Sequence, residues 1–327
     1  MLQYAGVVQG YSPEELRGRL AGAIAFPITP FNDDGSVDLD GVVQNAAWLP
    51  QGGHIAAVVA PSGTGEFFAL TPDECAAVTR ATVQAIDHRV PVIASAGINA
   101  NIGAELARRA EDAGADGVLI MPPYYAQPDP RGLVAYCQHI AQATSLGVMP
   151  YARDAAVFTP EILDVLTRSV PNLVGYKDGR GDIRVFQRLR EHIVERFGAD
   201  RLAWLCGVGD DMVGAYFAAG AEGFTSSLAC FWPEASGELY HLARNGDFTE
   251  LAAFERRVVR PIYELRQRGR GFEVSVMKMA MEILGHPAGG VRPPLGTLSE
   301  RDRADLEDIL RRLQVPQAAA RKTLATI

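Results

Sequence analysis

The sequence predicts an α/β chain folded as a (β/α)8 barrel of the TIM type with a C-terminal helical extension. Three observations carry that prediction. Short apolar, β-rich runs alternate with longer amphipathic segments over most of the chain, which is the pattern of parallel strands joined by helical crossovers. Eight such runs occur, enough to close a barrel. The first run is followed by Thr29-Pro30-Phe31, without the glycine-rich phosphate turn that a doubly wound open sheet places there.

In chain order, strands are expected near residues 22–28, 55–60, 91–95, 117–121, 146–151, 173–177, 202–206 and 223–226. Helices are expected between them at about 38–50, 72–88, 101–113, 132–143, 160–168, 182–197 and 210–219. Thr71-Pro72 with Glu74 has capping-box spacing, and Thr159-Pro160 offers a second cap with proline at the first helical position. The phrases Ala113-Gly114-Ala115-Asp116-Gly117 and Ala219-Gly220-Ala221-Glu222-Gly223 each end a helix and enter a strand, a turn that asks glycine for positive φ. After residue 230 only helical periodicity remains, at roughly 231–245, 248–268, 272–285 and 300–313, and the stretch from Gln317 to Ile327 is expected to fray. The barrel, with a short N-terminal segment, is therefore assigned to residues 1–230. Residues 231–327 are assigned to an extension packed on it as part of one structural domain.

Composition narrows the function classes. Apolar residues make up 48% and charged residues 21% of the 327, which suits a globular protein and not a disordered one. A net charge of -8 supplies no positive field to gather nucleic acid. The arginines at 256, 257, 260, 266, 268 and 270 interleave with Glu255 and Glu264 and read as a solvated helix face. Cys75, Cys137, Cys206 and Cys230 are widely spaced, so neither zinc nor a disulfide framework is expected. The six histidines fall in no metal motif, and no metal or cofactor is expected. The start of the chain shows no export signal and no run of about 20 apolar residues spans a bilayer, so the expectation is a cytoplasmic protein without membrane contact.

Lysine usage is the sharpest chemical signal. Lys177, Lys278 and Lys322 are the only lysines, while 28 arginines serve elsewhere. Lys177 ends the sixth run, Leu173-Val174-Gly175-Tyr176-Lys177-Asp178, and the C-terminal ends of barrel strands form the catalytic rim. A primary amine can condense with a carbonyl and a guanidinium cannot. A structural ion pair with Asp178 is the competing reading. Lys278, in a Met-rich helical run, and Lys322, in the tail, read as structural or solvated.

Other residues converge on the same rim. Tyr151 ends the fifth run and is either a proton relay beside the amine or a hydrogen-bonded cap on the core. The turn Pro61-Ser62-Gly63-Thr64-Gly65-Glu66-Phe67 offers amides and hydroxyls for a carboxylate. Arg153, beside Asp154, either holds a second negative group of a substrate or forms a surface pair. Ser226 and Ser227 follow the eighth run and offer contacts to the distal end of a polar substrate. Tyr124 and Tyr125 either close a pocket or make a subunit contact. Asp210 and Asp211 open a helix, where carboxylates are favoured without any chemistry.

These motifs together make the chain resemble the class I pyruvate-dependent aldolase and dehydratase family that contains dihydrodipicolinate synthase and N-acetylneuraminate lyase. The resemblance covers about residues 18–315. It rests on Ala25-Phe26-Pro27-Ile28-Thr29-Pro30-Phe31, Ser62-Gly63-Thr64-Gly65-Glu66, Pro122-Pro123-Tyr124-Tyr125, Tyr151 and Gly175-Tyr176-Lys177-Asp178, all in order. It implies that Lys177 is the Schiff-base lysine, Tyr151 the proton relay and Thr64 a ligand of the 2-oxo acid carboxylate, with no cofactor. Gly63 stands where many relatives have a first hydroxyl residue. Lys177-Asp178-Gly179 continuing to Gly181-Asp182, Arg153-Asp154, the Ser226-Ser227 pair and Arg292-Pro293-Pro294-Leu295 look like the branch that dehydrates and decarboxylates 2-oxo sugar diacids. Ala152 and Ala155 depart from that branch, where Asn is common. A homo-oligomer, tetramer or dimer, is also implied. The same lysine chemistry fits an aldolase, and a non-enzymatic 2-oxo acid-binding barrel is the remaining alternative.

Overall fold

The computed structural model describes residues 10–124 and 127–318. Eight parallel strands close in sequence order: β1 (Ala23–Ala25), β2 (Ala57–Val59), β3 (Val92–Ile98), β4 (Gly117–Pro123), β5 (Gly147–Ala152), β6 (Gly175–Asp178), β7 (Ala203–Cys206) and β8 (Gly223–Ser226). The barrel expectation is met, although β1 is shorter than residues 22–28 and β3 and β4 run further than expected.

One element carries no periodicity in the sequence. Helix α1 (Pro13–Arg19) begins at Ser12, which forms a capping box with Glu15. Its Leu16 is buried against the first residues of β4 and β5, and a Cβ on Gly117 or Gly147 would lie 2.5 or 3.0 Å from Leu16 Cδ2. Those glycines leave room for the leucine to plug the N-terminal end of the barrel. The opposite end stays open.

The crossover helices are α2 (Leu39–Trp48), α3 (Pro72–Ile86), α4 (Ala100–Asp112), α5 (Pro130–Ala141), α6 (Pro160–Ser169), α7 (Ile183–Phe197) and α8 (Val213–Ala218). Both expected caps are present: Thr71 accepts from Glu74 N and Thr159 from Ile162 N. Gly114 and Gly220 have φ of 84° and 94°, as their helix-ending position requires. The helix expected at 210–219 begins instead with a 3-10 turn, Asp210–Met212.

The extension comprises α9 (Pro233–Asn245), α10 (Phe248–Phe254), α11 (Arg260–Arg266), α12 (Phe272–Ile283) and α13 (Glu300–Arg312). It packs on the barrel through α9, which lies against α8 and β1. The continuous helix expected over 248–268 is interrupted by a π-helical turn, Glu255–Val259. Pro261 explains the interruption, since it lacks an N–H and its ring crowds the carbonyl one turn earlier.

Long-range polar contacts tie the extension to the barrel. Glu66, fully buried and at φ 57°, pairs with Lys278 Nζ at 2.7 Å and accepts from Arg292 N at 2.8 Å. Lys278 also donates to Gly290 O at 2.6 Å, and burial pushes its amine down to about 8 against the pull of Glu66. Breaking one side of a buried pair strands the other charge, at a cost of about 3–5 kcal/mol. Lys278→Met is therefore expected to lower unfolding free energy by that amount in denaturant titration. Glu66→Gln combined with Lys278→Met should recover most of it.

Candidate active site

Alternation along β6 decides what each side chain of Gly175–Asp178 can do. Successive residues of a strand point to opposite faces, so Tyr176 and Asp178 face the helices while Lys177 faces the barrel interior. Tyr176 stacks edge-on against Phe158 and Trp204. Asp178 accepts from Tyr216 Oη at 2.7 Å and from the Arg180 and Gly181 amides at 2.9 and 3.3 Å. The ion pair between Lys177 and Asp178 is thereby ruled out: sequence neighbours on a strand cannot meet across it.

Lys177 is 3% exposed, and among the described residues no ion pair holds its amine. Nζ lies over the rings of Tyr151 and Phe26, 3.8 and 4.1 Å from their centroids. Burial first, and the Arg153 cation second, hold its pKa well below the ordinary lysine value. Strand register supplies the neighbour, because Tyr151 on β5 pairs directly with Lys177 on β6.

The Tyr151 hydroxyl is only loosely held, with Gly207 O as acceptor and Arg153 Nη1 as donor, both at 3.5 Å. Burial pushes its phenol above the ordinary tyrosine value, with Arg153 opposing. Two glycines shape this corner. A Cβ on Gly179 would fall 2.6 Å from the Tyr151 ring, and one on Gly207 would fall 2.6 Å from Lys177 Cε. Gly207→Ala should displace the lysine, and a misplacement of about 1 Å can cost roughly 10²-fold in rate. That loss is expected in kcat/KM and in the rate of borohydride-trapped adduct formation.

The open end of the barrel holds a cavity of about 340 Å³. Gly63, Thr64, Tyr151, Arg153, Lys177, Ser226 and Ser227 all line it, so the structure brings the rim candidates together. A Cβ on Gly63 would meet nothing within 4 Å. Beside it, Ser62 Oγ is buried without a hydrogen-bond partner among the described residues. Thr29 Oγ1 donates to Gly65 O at 2.7 Å and fixes the turn from below. Tyr124 is exposed and does not line the cavity. Tyr125 and Lys322 lie outside the described residues.

One expectation, for Arg266, needs correction, and two others gain detail. Asp210 is fully buried and organises the far wall of the cavity: it accepts from Ser226 Oγ, from Ser227 N at 3.2 Å and from Tyr263 Oη at 2.7 Å. Its role is structural, as expected of a carboxylate at a helix start, but it reaches well beyond its own turn. Ser226 Oγ is bonded to Asp210 and Ser236 and Ser227 Oγ to Asp210 and Arg266, so both serines line the cavity with hydroxyls already engaged. Arg266 does not belong to a solvated face, since it lines the cavity, lies 4.2 Å from the Tyr263 ring centroid and donates to Ser227 Oγ at 2.9 Å. By contrast Arg268 is exposed and pairs with Asp302 and Asp305. Tyr263 and Arg266 share one face of α11 at i, i+3 spacing, the sole sequence signal for this pair.

All four cysteines are free and buried. Among the described residues no group of three His, Cys, Asp or Glu side chains is arranged to hold a metal ion, and no helix is long and apolar enough to cross a membrane.

Residues 19–313 match the model of the dihydrodipicolinate synthetase family. A protein of Rhodococcus opacus named a probable 5-dehydro-4-deoxyglucarate dehydratase is 37% identical over 92% of this chain and 98% of its own length. A Streptomyces coelicolor protein of the same description is 38% identical over 90% and 93%. Among solved structures, dihydrodipicolinate synthase from Bacillus clausii superposes with a TM-score of 0.84 at 30% identity, covering 91% of this chain and 99% of that one.

Proposed function

The chain belongs to the dihydrodipicolinate synthetase family, a family of lyases, and from that premise we propose that it converts 5-dehydro-4-deoxy-D-glucarate to 2,5-dioxopentanoate, water and carbon dioxide through an imine on Lys177. The observation that carries the reading is an amine with no ion-pair partner among the described residues, held on the face of Tyr151 inside the rim cavity. Its lowered pKa keeps a larger share as free amine, the nucleophilic form. The names of the relatives support this choice of substrate.

Lys177 Nζ attacks the C5 ketone, and loss of water gives an iminium. That positive nitrogen acidifies C4, whose proton leaves to form a neutral enamine. The enamine electrons expel the C3 hydroxyl, which departs as water after taking a proton, and a conjugated iminium remains. The C1–C2 bonding electrons then flow through C3 and C4 to nitrogen as carbon dioxide leaves. Protonation, tautomerisation of the resulting enol to an aldehyde and hydrolysis of the imine release the product and restore the amine. One electron sink thus serves both eliminations.

Tyr151 carries protons between the amine, the departing oxygens and C4. Thr64, with the turn amides and the Ser62 hydroxyl, which has no hydrogen-bond partner among the described residues, receives the C6 carboxylate. The open space at Gly63 leaves the relay without a second protein hydroxyl there, so substrate hydroxyls complete it. Arg153 borders the reacting end beside Tyr151, and the wall of Ser226 and Ser227 faces the rest of the sugar acid.

Borohydride reduction during incubation with the substrate, followed by intact and peptide mass spectrometry, tests the reading. The expected result is a reduced adduct on Lys177 with carbon dioxide and 2,5-dioxopentanoate in solution. Pyruvate as the released product moves the assignment to an aldolase. The absence of an adduct with either this substrate or pyruvate removes Schiff-base chemistry altogether.

A further inference from the structure

The two cavity arginines stand at different ends of the site. Arg153 belongs to the reacting end: it follows Tyr151 by two residues, reaches that hydroxyl at 3.5 Å and is the cation felt by Lys177. Its remaining charge is shared with Asp154 at 3.6 Å. Arg266 approaches from the extension. The loop leaving β7 connects the two ends, since Gly207 abuts Lys177 while Gly209 abuts Tyr263, whose ring carries the Arg266 guanidinium.

Arg266 is rigidly presented. Asp210 fixes Tyr263 from both sides, accepting from its hydroxyl at 2.7 Å and donating its own amide to it at 2.8 Å. Ser227 Oγ donates to Asp210 at 3.3 Å and accepts from Arg266 Nη1 at 2.9 Å. Among the described residues no carboxylate forms an ion pair with Arg266, although Glu264 stands two residues before it in α11. The Asp210 carboxylate is taken up by serine, tyrosine and amide donors instead. Glu273 lines the same cavity and, with Asp210, acts on Arg266 from beyond ion-pair distance; a half-buried guanidinium, stacked, anchored and without a direct ion pair among the described residues, is a preorganised carboxylate receptor.

Resting on the reading of the substrate as a 2-oxo diacid, we infer that Arg266 binds the second, distal carboxylate and selects a diacid over a monoacid. Asp210, Tyr263 and Ser227 are its positioning residues. The turn around Thr64 holds the first carboxylate, so the two acid groups of one substrate are gripped by opposite walls with the ketone between them at Lys177. This assignment makes the extension part of the specificity apparatus. It also leaves Arg153 to the proton-transfer corner.

The test separates this inference from its parent. Borohydride trapping on Lys177, read by intact mass, is titrated with pyruvate, 2-oxohexanoate and 2-oxoadipate on the wild-type chain and on Arg266→Gln, Arg266→Lys and Arg153→Gln. The wild type is expected to trap 2-oxoadipate at a concentration at least roughly 10-fold below that for 2-oxohexanoate, the size of one charge-assisted contact. Arg266→Gln should erase that preference and Arg266→Lys retain part of it, while the half-saturating pyruvate concentration stays within about twofold. A preference that survives Arg266→Gln, or one that only Arg153→Gln removes, overturns the assignment. A wild-type chain that traps none of the three on Lys177 sinks the Schiff-base reading itself, and this inference with it.

Discussion

Lys177→Met is expected to abolish the trapped adduct and to lower turnover of 5-dehydro-4-deoxy-D-glucarate by at least about 10⁴-fold, the scale on which losing a covalent nucleophile is felt, while the chain stays folded. The folding part follows from the environment of the amine. It has no ion-pair partner among the described residues, so its removal strands no buried charge, and Met fills a similar volume between Phe26 and Tyr151. Because burial holds the folded-state pKa well below 10.5, the unfolded chain binds more protons between that lowered value and about 10.5. The lysine therefore makes stability rise with pH across that window, and its burial opposes folding at neutral pH. Thermal unfolding at pH 7 should show the variant at least as stable as the parent, with a flatter dependence on alkaline pH. A variant that loses both activity and fold would mean that Lys177 is structural. Arg153→Gln gives an independent check: removing the second cause of the depression raises the lysine pKa, so the acid limb of kcat/KM moves upward.

Tyr151→Phe is expected to lower kcat by roughly 10²–10⁴-fold, the usual contribution of a positioned proton carrier, without preventing imine formation. The ring that supports Lys177 is kept and the hydroxyl alone is lost. Its hydrogen bonds to Gly207 O and Arg153 are both 3.5 Å long, so little stability should go with it. Trapping of pyruvate on Lys177 should persist in the variant while release of 2,5-dioxopentanoate collapses. Since burial raises the phenol pKa, the hydroxyl remains protonated through the neutral range, and no basic limb from Tyr151 is expected below about pH 10. Less than a tenfold loss in kcat would remove Tyr151 from the proton path and point to substrate hydroxyls or solvent.

Much of this site is legible in the sequence. Strand and helix periodicity located all eight strands because a barrel buries its strands on both faces, and continuous apolar runs are the result. Lys177 stood out because the chain uses arginine almost everywhere else, and Tyr151 because it ends the neighbouring strand. Helix caps and helix-ending glycines were equally visible, being local devices a few residues long. The short α1 went unseen despite its Ser12-Glu15 capping box, since one buried leucine gives no periodicity.

What the sequence by itself determined is the order of elements and the residues that local geometry delivers to the rim: Lys177, Tyr151 and the turn at Ser62-Gly63-Thr64. Only the tertiary structure decided which charges meet. Lys278 finds Glu66 and Arg292 finds Glu74, pairs formed between the extension and the barrel. Asp210 gathers Ser226, Ser227 and Tyr263, and Arg266 leaves an apparently solvated helix to face the cavity. The physical reason is that periodicity reports which face of an element is apolar, whereas the fate of a charged side chain depends on what another element brings within hydrogen-bond distance.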